Sequence, residues 1–198
     1  MKLIHSPSPE TLPAPSVITV GSFDGVHLGH RALLQQVKDF AQQHQYQSVI
    51  ITFDPHPQEV LQSKSNFFLI NSFEQKMTLF EELGIDTVFV IPFTRELAQT
   101  SALQFFATYI FSRINVKAIF MGPNHHFGKQ REGDANTLNN ICVEKGIKLI
   151  MAQEFKMDEN KVRSTLIRNC LEQNDYATAE KLLGHSLYLK IKDLKFKV

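Results

Sequence analysis

The residues best suited to chemistry lie in one stretch, Gly21-Ser22-Phe23-Asp24-Gly25-Val26-His27-Leu28-Gly29-His30, directly after the β-branched run Val17-Ile18-Thr19-Val20. Glycines permit positive φ and close backbone approach, while a helix N-terminus offers unpaired N–H groups and partial positive charge to an anion. A strand, a glycine turn and a helix start in that order make a phosphate site. The spacing matches neither G-x-G-x-x-G nor G-x-x-x-x-G-K-[ST], and His27-Leu28-Gly29-His30 stands where the second pattern has its lysine. His27 and His30 can donate hydrogen bonds to phosphate oxygens. A partly protonated imidazole would also offset charge that builds on a departing phosphate group. Asp24 falls at the strand end, where a carboxylate can orient a histidine, bind a ribose or help place Mg²⁺; the residues alone leave all three roles open.

Three further segments carry unusual chemistry. Thr52-Phe53-Asp54-Pro55-His56-Pro57, followed by Leu61, is a proline-stiffened loop around one histidine. Met121-Gly122-Pro123-Asn124-His125-His126-Phe127-Gly128-Lys129, with Gly133-Asp134 after it, joins glycines to a histidine pair. In Val162-Arg163-Ser164-Thr165-Leu166-Ile167-Arg168, two adjacent hydroxyls read as a helix N-cap and Arg168 follows one turn later. Hydroxyls, open amides and a guanidinium are what a binder of β- and γ-phosphates requires.

Positioning these segments requires a sheet. Strand-like runs at 17–20, 49–53, 87–91, 118–121 and 148–151 alternate with helical patterns at 31–44, 73–83, 102–114 and 136–145. Ser72 reads as an N-cap and Gly84 as a helix stop. The alternation predicts an α/β fold, a Rossmann-like doubly wound parallel sheet of about five strands with right-handed crossovers. A small helical ending follows at 165–171 and 176–183, and residues 187–198 alternate apolar and basic, as an edge strand or a linker would. The expected division is a proline-punctuated lead over 1–16, one domain over 17–185 and a tail over 186–198. Ligands of such sheets bind beyond the carboxyl ends of the strands. The loops at 21–30, 54–57 and 122–134 all leave such ends and carry the histidines and glycines above.

Composition narrows the function classes. The 198 residues hold 21 Lys+Arg against 20 Asp+Glu, so no basic footprint for nucleic acid exists. No apolar run approaches the ~20 residues that cross a bilayer, and no signal-peptide core is present. Cys142 and Cys170 lack metal-type or redox-type spacing, which fits reduced thiols in a cytoplasmic protein.

With these four segments in this order, the chain resembles the FMN adenylyltransferase (FAD synthetase) module of bacterial riboflavin kinase/FAD synthetases, within the His-x-Gly-His nucleotidyltransferases. The resemblance runs from about Val17 to Gly184 and implies ATP + FMN → FAD + pyrophosphate. It implies ATP contacts from Gly21, Phe23, Asp24 and Gly29, with His27 and His30 on the α- and β-phosphates. Asn124 would bond nucleotide phosphate or ribose, and Ser164, Thr165 and Arg168 would hold the leaving pyrophosphate. Pro55, His56, Pro57, Leu61 and Phe127 would wall the flavin. Mg²⁺ would arrive on the substrate phosphates, so no metal ligands are assigned. Two positions depart from the family pattern: Arg163 replaces a serine, and His125 stands where another aromatic is usual. The glycine-rich and Pro-Thr-Ala-Asn motifs of the kinase barrel are absent from these residues, which are therefore not expected to phosphorylate riboflavin; a separate riboflavin kinase would be a partner. Three other readings compete: a zinc hydrolase built on His27, His30, His56 and His125 or His126, a flavin- or nucleotide-binding relative without turnover, and a transferase acting on another phosphate acceptor.

Overall fold

β-Branched and aromatic residues in short unbroken runs build a sheet that is buried on both faces. The computed structural model describes residues 1–8, 10–61, 67–123, 125–157 and 160–187. Its main sheet comprises β1 (Lys2–His5), β2 (Leu12–Val20), β3 (Gln47–Phe53), β4 (Thr87–Ile91), β5 (Ile114–Met121) and β6 (Lys148–Met151), all parallel, in the order β1-β4-β3-β2-β5-β6. The helices are α1 (Leu28–His44), α2 (Pro57–Leu61), α3 (Phe73–Glu82), α4 (Ala102–Phe105), α5 (Ala135–Glu144), α6 (Ser164–Glu172) and α7 (Tyr176–Leu183). Strand order reverses direction at β2, which lies between β3 and β5, so the switch point is at the carboxyl ends of β2 and β5.

The sheet therefore has six strands where about five were expected, and the sixth comes from the supposed lead. Lys2–His5 pairs with β4 from Lys2 opposite Thr87 to His5 opposite Val90. β2 also begins at Leu12, through Pro13 and Pro15. Prolines suggest a break because they cannot donate to a ladder. Here they fall where β2 meets β5 only, since pairing with β3 starts at Ser16, and the register with β5 shifts between Leu12 and Ser16. An unpaired edge tolerates them.

Helix boundaries follow local chemistry. Ser72 caps α3 through a reciprocal box with Gln75, and Gly84 ends it at φ +72°. The stretch expected as one helix over 102–114 is instead a single turn, α4, continued by a π-helical segment Phe106–Phe111, and β5 has begun by Ile114. An antiparallel hairpin, β7 (Lys156–Met157) with β8 (Asn160–Lys161), was not expected. Residues 188–198 of the expected tail lie outside the described residues, whereas Leu187 is buried against α6 and α7.

The core forms on both sheet faces. Ile18, Val49, Ile51, Phe89 and Ile119 pack with Phe106 and Ile110, while Ile50, Val88 and Val90 meet Leu34 and Phe80 on the other side. Each such side chain contributes about 1.5–3 kcal/mol when fully buried. The α6–α7 pair has a cluster of its own, Ile167, Ala179, Leu182 and Leu183 around Ile70. That cluster lies against the glycine turn: a Cβ on Gly25 would meet Ile70 and Leu183 at 3.2–3.3 Å. No helix among the described residues is long and apolar enough to cross a membrane.

Candidate functional site

Beyond the carboxyl ends of β2 and β5 opens a crevice of about 540 Å³, within the range of small-molecule sites. One wall is the glycine turn from Gly21 to His30, another is Gly122, Pro123, His125 and Arg131, and a third runs from Ala152 through Lys161 to Arg168. His56 and Gln58 complete it. Four distant segments meet there.

The glycine turn is strained. Phe23, Gly25 and Val26 have φ of +51°, +87° and +37°. A left-handed conformation is rare for a β-branched residue and costs on the order of 1–3 kcal/mol. The carboxylate of Asp24 accepts from the N–H of Ile70 at 3.0 Å and of Asn71 at 3.4 Å, and forms a buried ion pair with Arg168. The Ser164 hydroxyl donates to the Asp24 carbonyl at 2.9 Å, and His185 Nε2 donates to the Gly25 carbonyl at 2.8 Å. The two C-terminal helices thus hold the turn in shape.

These bonds engage three expected residues. Asp24 lines the crevice, with its carboxylate bonded to the Ile70 and Asn71 amides and to Arg168. Burial pushes its carboxyl upward in pKa against the opposing pull of Arg168 and the two amides. Arg168, which lines the crevice, also binds Asp24, the Phe68 carbonyl at 2.9 Å and the face of Phe67 at 4.5 Å. Ser164 is the first residue of α6 and not its cap. The cap position is Arg163, which makes no side-chain capping bond, so the first turn of α6 is left without a side-chain cap where Ser164 and Thr165 line the crevice.

His27 is the N-cap of α1: its Nδ1 accepts from the His30 N–H at 3.2 Å. An acceptor Nδ1 places the proton of the neutral ring on Nε2. The two imidazoles stack at 3.6 Å between centroids and 14° between planes, with Phe23 edge-on to His30 at 5.2 Å. His30 Nδ1 is buried without a hydrogen-bond partner among the described residues. Burial pulls His27 down to about 4 and His30 well below its ordinary range, with the charge of Lys76 adding to the effect on His30. Both shifts favour neutral rings near pH 7 over the partly protonated pair that was expected. Their contribution is N–H donation from fixed positions.

His56 is likewise buried; its Nδ1 accepts from the Gln58 N–H at 3.1 Å, and its ring stacks on Phe67 at 4.9 Å. Burial, then Arg168 and Lys76, lower it to about 4. His125 is held at about 4 by burial as well. Histidines neutral in the fold and charged when unfolded make stability fall on acidification, because the unfolded chain binds more protons between the two pKa values. Unfolding free energy is therefore expected to be flat above pH 6.5 and to drop as pH falls from 6.5 toward 4, each such histidine adding up to about 1.4 kcal/mol per pH unit. Urea titrations at several pH values check this, and a flat profile across that window contradicts it.

Of the expected residues, Gly21, Phe23, Asp24, His27, Gly29, His30, His56, Ser164, Thr165 and Arg168 share the crevice. Pro55, Pro57, Leu61 and Phe127 do not line it. Pro57 starts α2, and Leu61 at its end is 48% exposed. Phe127 bridges Gly133 and lies edge-on to Phe106 at 5.4 Å, so it packs on the core, with His125 between it and the opening. Asn124 lies outside the described residues. Arg131, Lys161 and Glu154 line the crevice without having been singled out, the last two as an ion pair at 2.6 Å. The signal for Arg131 was the charged Lys129–Glu132 run between two glycines; only folding turns it toward the site. No group of three or more His, Cys, Asp or Glu side chains among the described residues is placed to hold a metal ion.

Comparison with known proteins places this geometry. Residues 10–166 match the family model described as FAD synthetase. The chain is 32% identical over 169 residues to the bifunctional riboflavin kinase/FMN adenylyltransferase of Escherichia coli K12, covering 85% of this chain and 54% of that protein. It is also 32% identical over 195 residues to the protein of the same name from Bacillus subtilis, covering 96% and 61%. The chain thus spans little more than half the length of these relatives. A solved structure named a macrolide-efflux protein, from Streptococcus pneumoniae, superposes with a TM-score of 0.81 at 26% identity, over 94% of this chain and 72% of that one. A parallel sheet with its crevice at the switch point, a His-x-Gly-His helix start and a family match over most of the length agree: the chain belongs to the FAD synthetase family.

Proposed function

We propose that this chain is an FMN adenylyltransferase, transferring the adenylyl group of ATP to FMN with release of pyrophosphate. The observation that carries the reading is the stacked, neutral His27–His30 pair at the start of α1, facing a crevice rimmed by Arg131, Lys161 and Arg163. Donors fixed at a helix N-terminus and cations at a rim suit a triphosphate. An FMN phosphate oxygen attacks the α-phosphorus of ATP; that P–O bond forms as the bond to the β-phosphate oxygen breaks, and pyrophosphate carries away the electron pair. The phosphate nucleophile is already anionic, so positioning and charge stabilisation suffice.

Within this reading His27 Nε2–H and the open amides of α6 contact phosphate oxygens, and Arg131 and Arg163 offset the charge of the leaving group. Arg168 and Ser164 act by fixing Asp24 and the glycine turn. The flavin lies toward His56, the member of its segment that reaches the crevice. The donor set does not fit a protein-caged Mg²⁺: Asp24 is engaged with Arg168, and Glu154 with Lys161. The metal therefore enters with the substrate, as MgATP. The catalytic unit runs from β1 to α7, acts in the cytoplasm, and takes FMN made by a riboflavin kinase.

Incubation of the purified chain with MgATP and FMN, with riboflavin in parallel, tests the reading by chromatography. FAD from FMN and none from riboflavin is the expected result. Saturable FMN binding without FAD would instead indicate a non-catalytic flavin-binding relative.

A further inference from the structure

Lys76 lies on α3, outside the crevice, and is 7% exposed. Burying an ammonium is costly unless its charge and all three of its donors are satisfied. Among the described residues no carboxylate is within ion-pairing distance of Lys76. Its Nζ instead donates to the Ser22 carbonyl at 3.4 Å, the Thr52 hydroxyl at 3.3 Å and the Phe53 carbonyl at 3.4 Å. The ring of Phe73 lies 5.7 Å away.

Those three oxygens have one thing in common. β2 and β3 are joined by their ladder as far as the bond from the Gly21 N–H to the Ile51 carbonyl, at 3.0 Å. Beyond it the strands diverge into two loops, one carrying His27 and His30, the other His56. The Thr52 hydroxyl also reaches the Ser22 carbonyl, at 3.4 Å. Lys76 therefore bridges the two strands where their backbone pairing stops. We propose that Lys76 is a positioning residue for the adenylyl transfer: by holding Ser22 and Phe53 on one ammonium, it sets the separation between the His27–His30 pair and His56 across the crevice. A hydrophobic residue would fill the space on α3 but would leave only the long Thr52–Ser22 bond between the two loop roots. This inference rests on the proposed reaction for its kinetic consequence and on geometry alone for its structural one.

Burial lowers the pKa of the Lys76 amine, and the nearby Asp24, Asp54 and Glu59 oppose that by favouring its charged form. Arg168 faces His56, His27 faces His30, and Lys76 acts on both His30 and His56. Its charge does not figure among the influences on His125.

The test compares wild type with Lys76→Met and Lys76→Gln, the second keeping two donors without the charge. Two readouts are needed, steady-state kinetics and NMR spectra of labelled imidazoles in the ligand-free protein. For Lys76→Met, kcat is expected to fall about tenfold or more, with KM for MgATP changed much less. Lys76→Gln is expected to recover part of kcat. Compared at a pH where the rings are neutral, the His30 and His56 resonances are expected to shift in both variants, while His125 stays fixed. Lys76→Met removes a buried charge but leaves the Ser22 and Phe53 carbonyls without that donor; if that chain fails to fold, Lys76→Gln carries both comparisons. Wild-type kcat in Lys76→Met, or equal losses in the two variants, overturns the positioning role. Unmoved His30 and His56 resonances overturn it without reference to catalysis. If wild type makes no FAD, the proposed reaction fails while the NMR comparison still decides the placement.

Discussion

Replacing His30 by alanine is expected to lower kcat/KM for FAD formation by about 10²–10³-fold, the loss associated with removing one fixed donor from a developing oxyanion. The ring is stacked on His27 and meets the edge of Phe23, so it also keeps the His27 plane aligned with the crevice. The same substitution removes a buried nitrogen that has no partner among the described residues. Deleting an unsatisfied polar group offsets the lost stacking, and the melting temperature is expected to stay within a few degrees. Because the ring is neutral near pH 7, kcat/KM of wild type should show no inflection near pH 6.5 from this pair. Activity assays and thermal melts on the same preparation check both statements. Unchanged turnover would take His30 out of the reaction.

Breaking the Asp24–Arg168 pair should have the largest effect on stability. Asp24→Ala leaves a guanidinium whose side chain is only 13% exposed without its counter-charge, and deprives the Ile70 and Asn71 amides of their acceptor. Removing one partner of a buried pair costs about 3–5 kcal/mol. Arg168→Met is expected to be comparable, since the Asp24 carboxylate then stays buried against two amides alone. The double substitution should lose clearly less than the sum of the singles, because neither charge is left stranded. Urea unfolding of the three variants measures the coupling, and strictly additive losses would show that the pair does not act as a unit. Activity should fall in every variant, since the strained turn from Phe23 to Val26 loses the anchor that holds its shape.

Local patterns determined a good deal of this protein. Mostly apolar runs of four or five residues identified five of the six parallel strands, because inner strands covered on both faces must be apolar throughout. Ser72 and Gly84 marked the ends of α3 because capping and left-handed φ are single-residue chemistry. The glycine turn and its two histidines were legible for the same reason: a strand, a turn and a helix start are contiguous. Tertiary structure decided whatever depended on a distant partner. β1 is a strand because β4 offers it a ladder, whatever the prolines nearby suggest. Arg168, expected beside the pyrophosphate, is placed by folding against Asp24, 144 residues away in sequence. The charge state of His27 and His30 is set by the burial that packing imposes. No local pattern singles out Lys76, and only the junction of β2 and β3 supplies the three oxygens it meets inside the fold. Sequence encodes which groups can do the chemistry; burial and long-range hydrogen bonds determine which of them remain available for it.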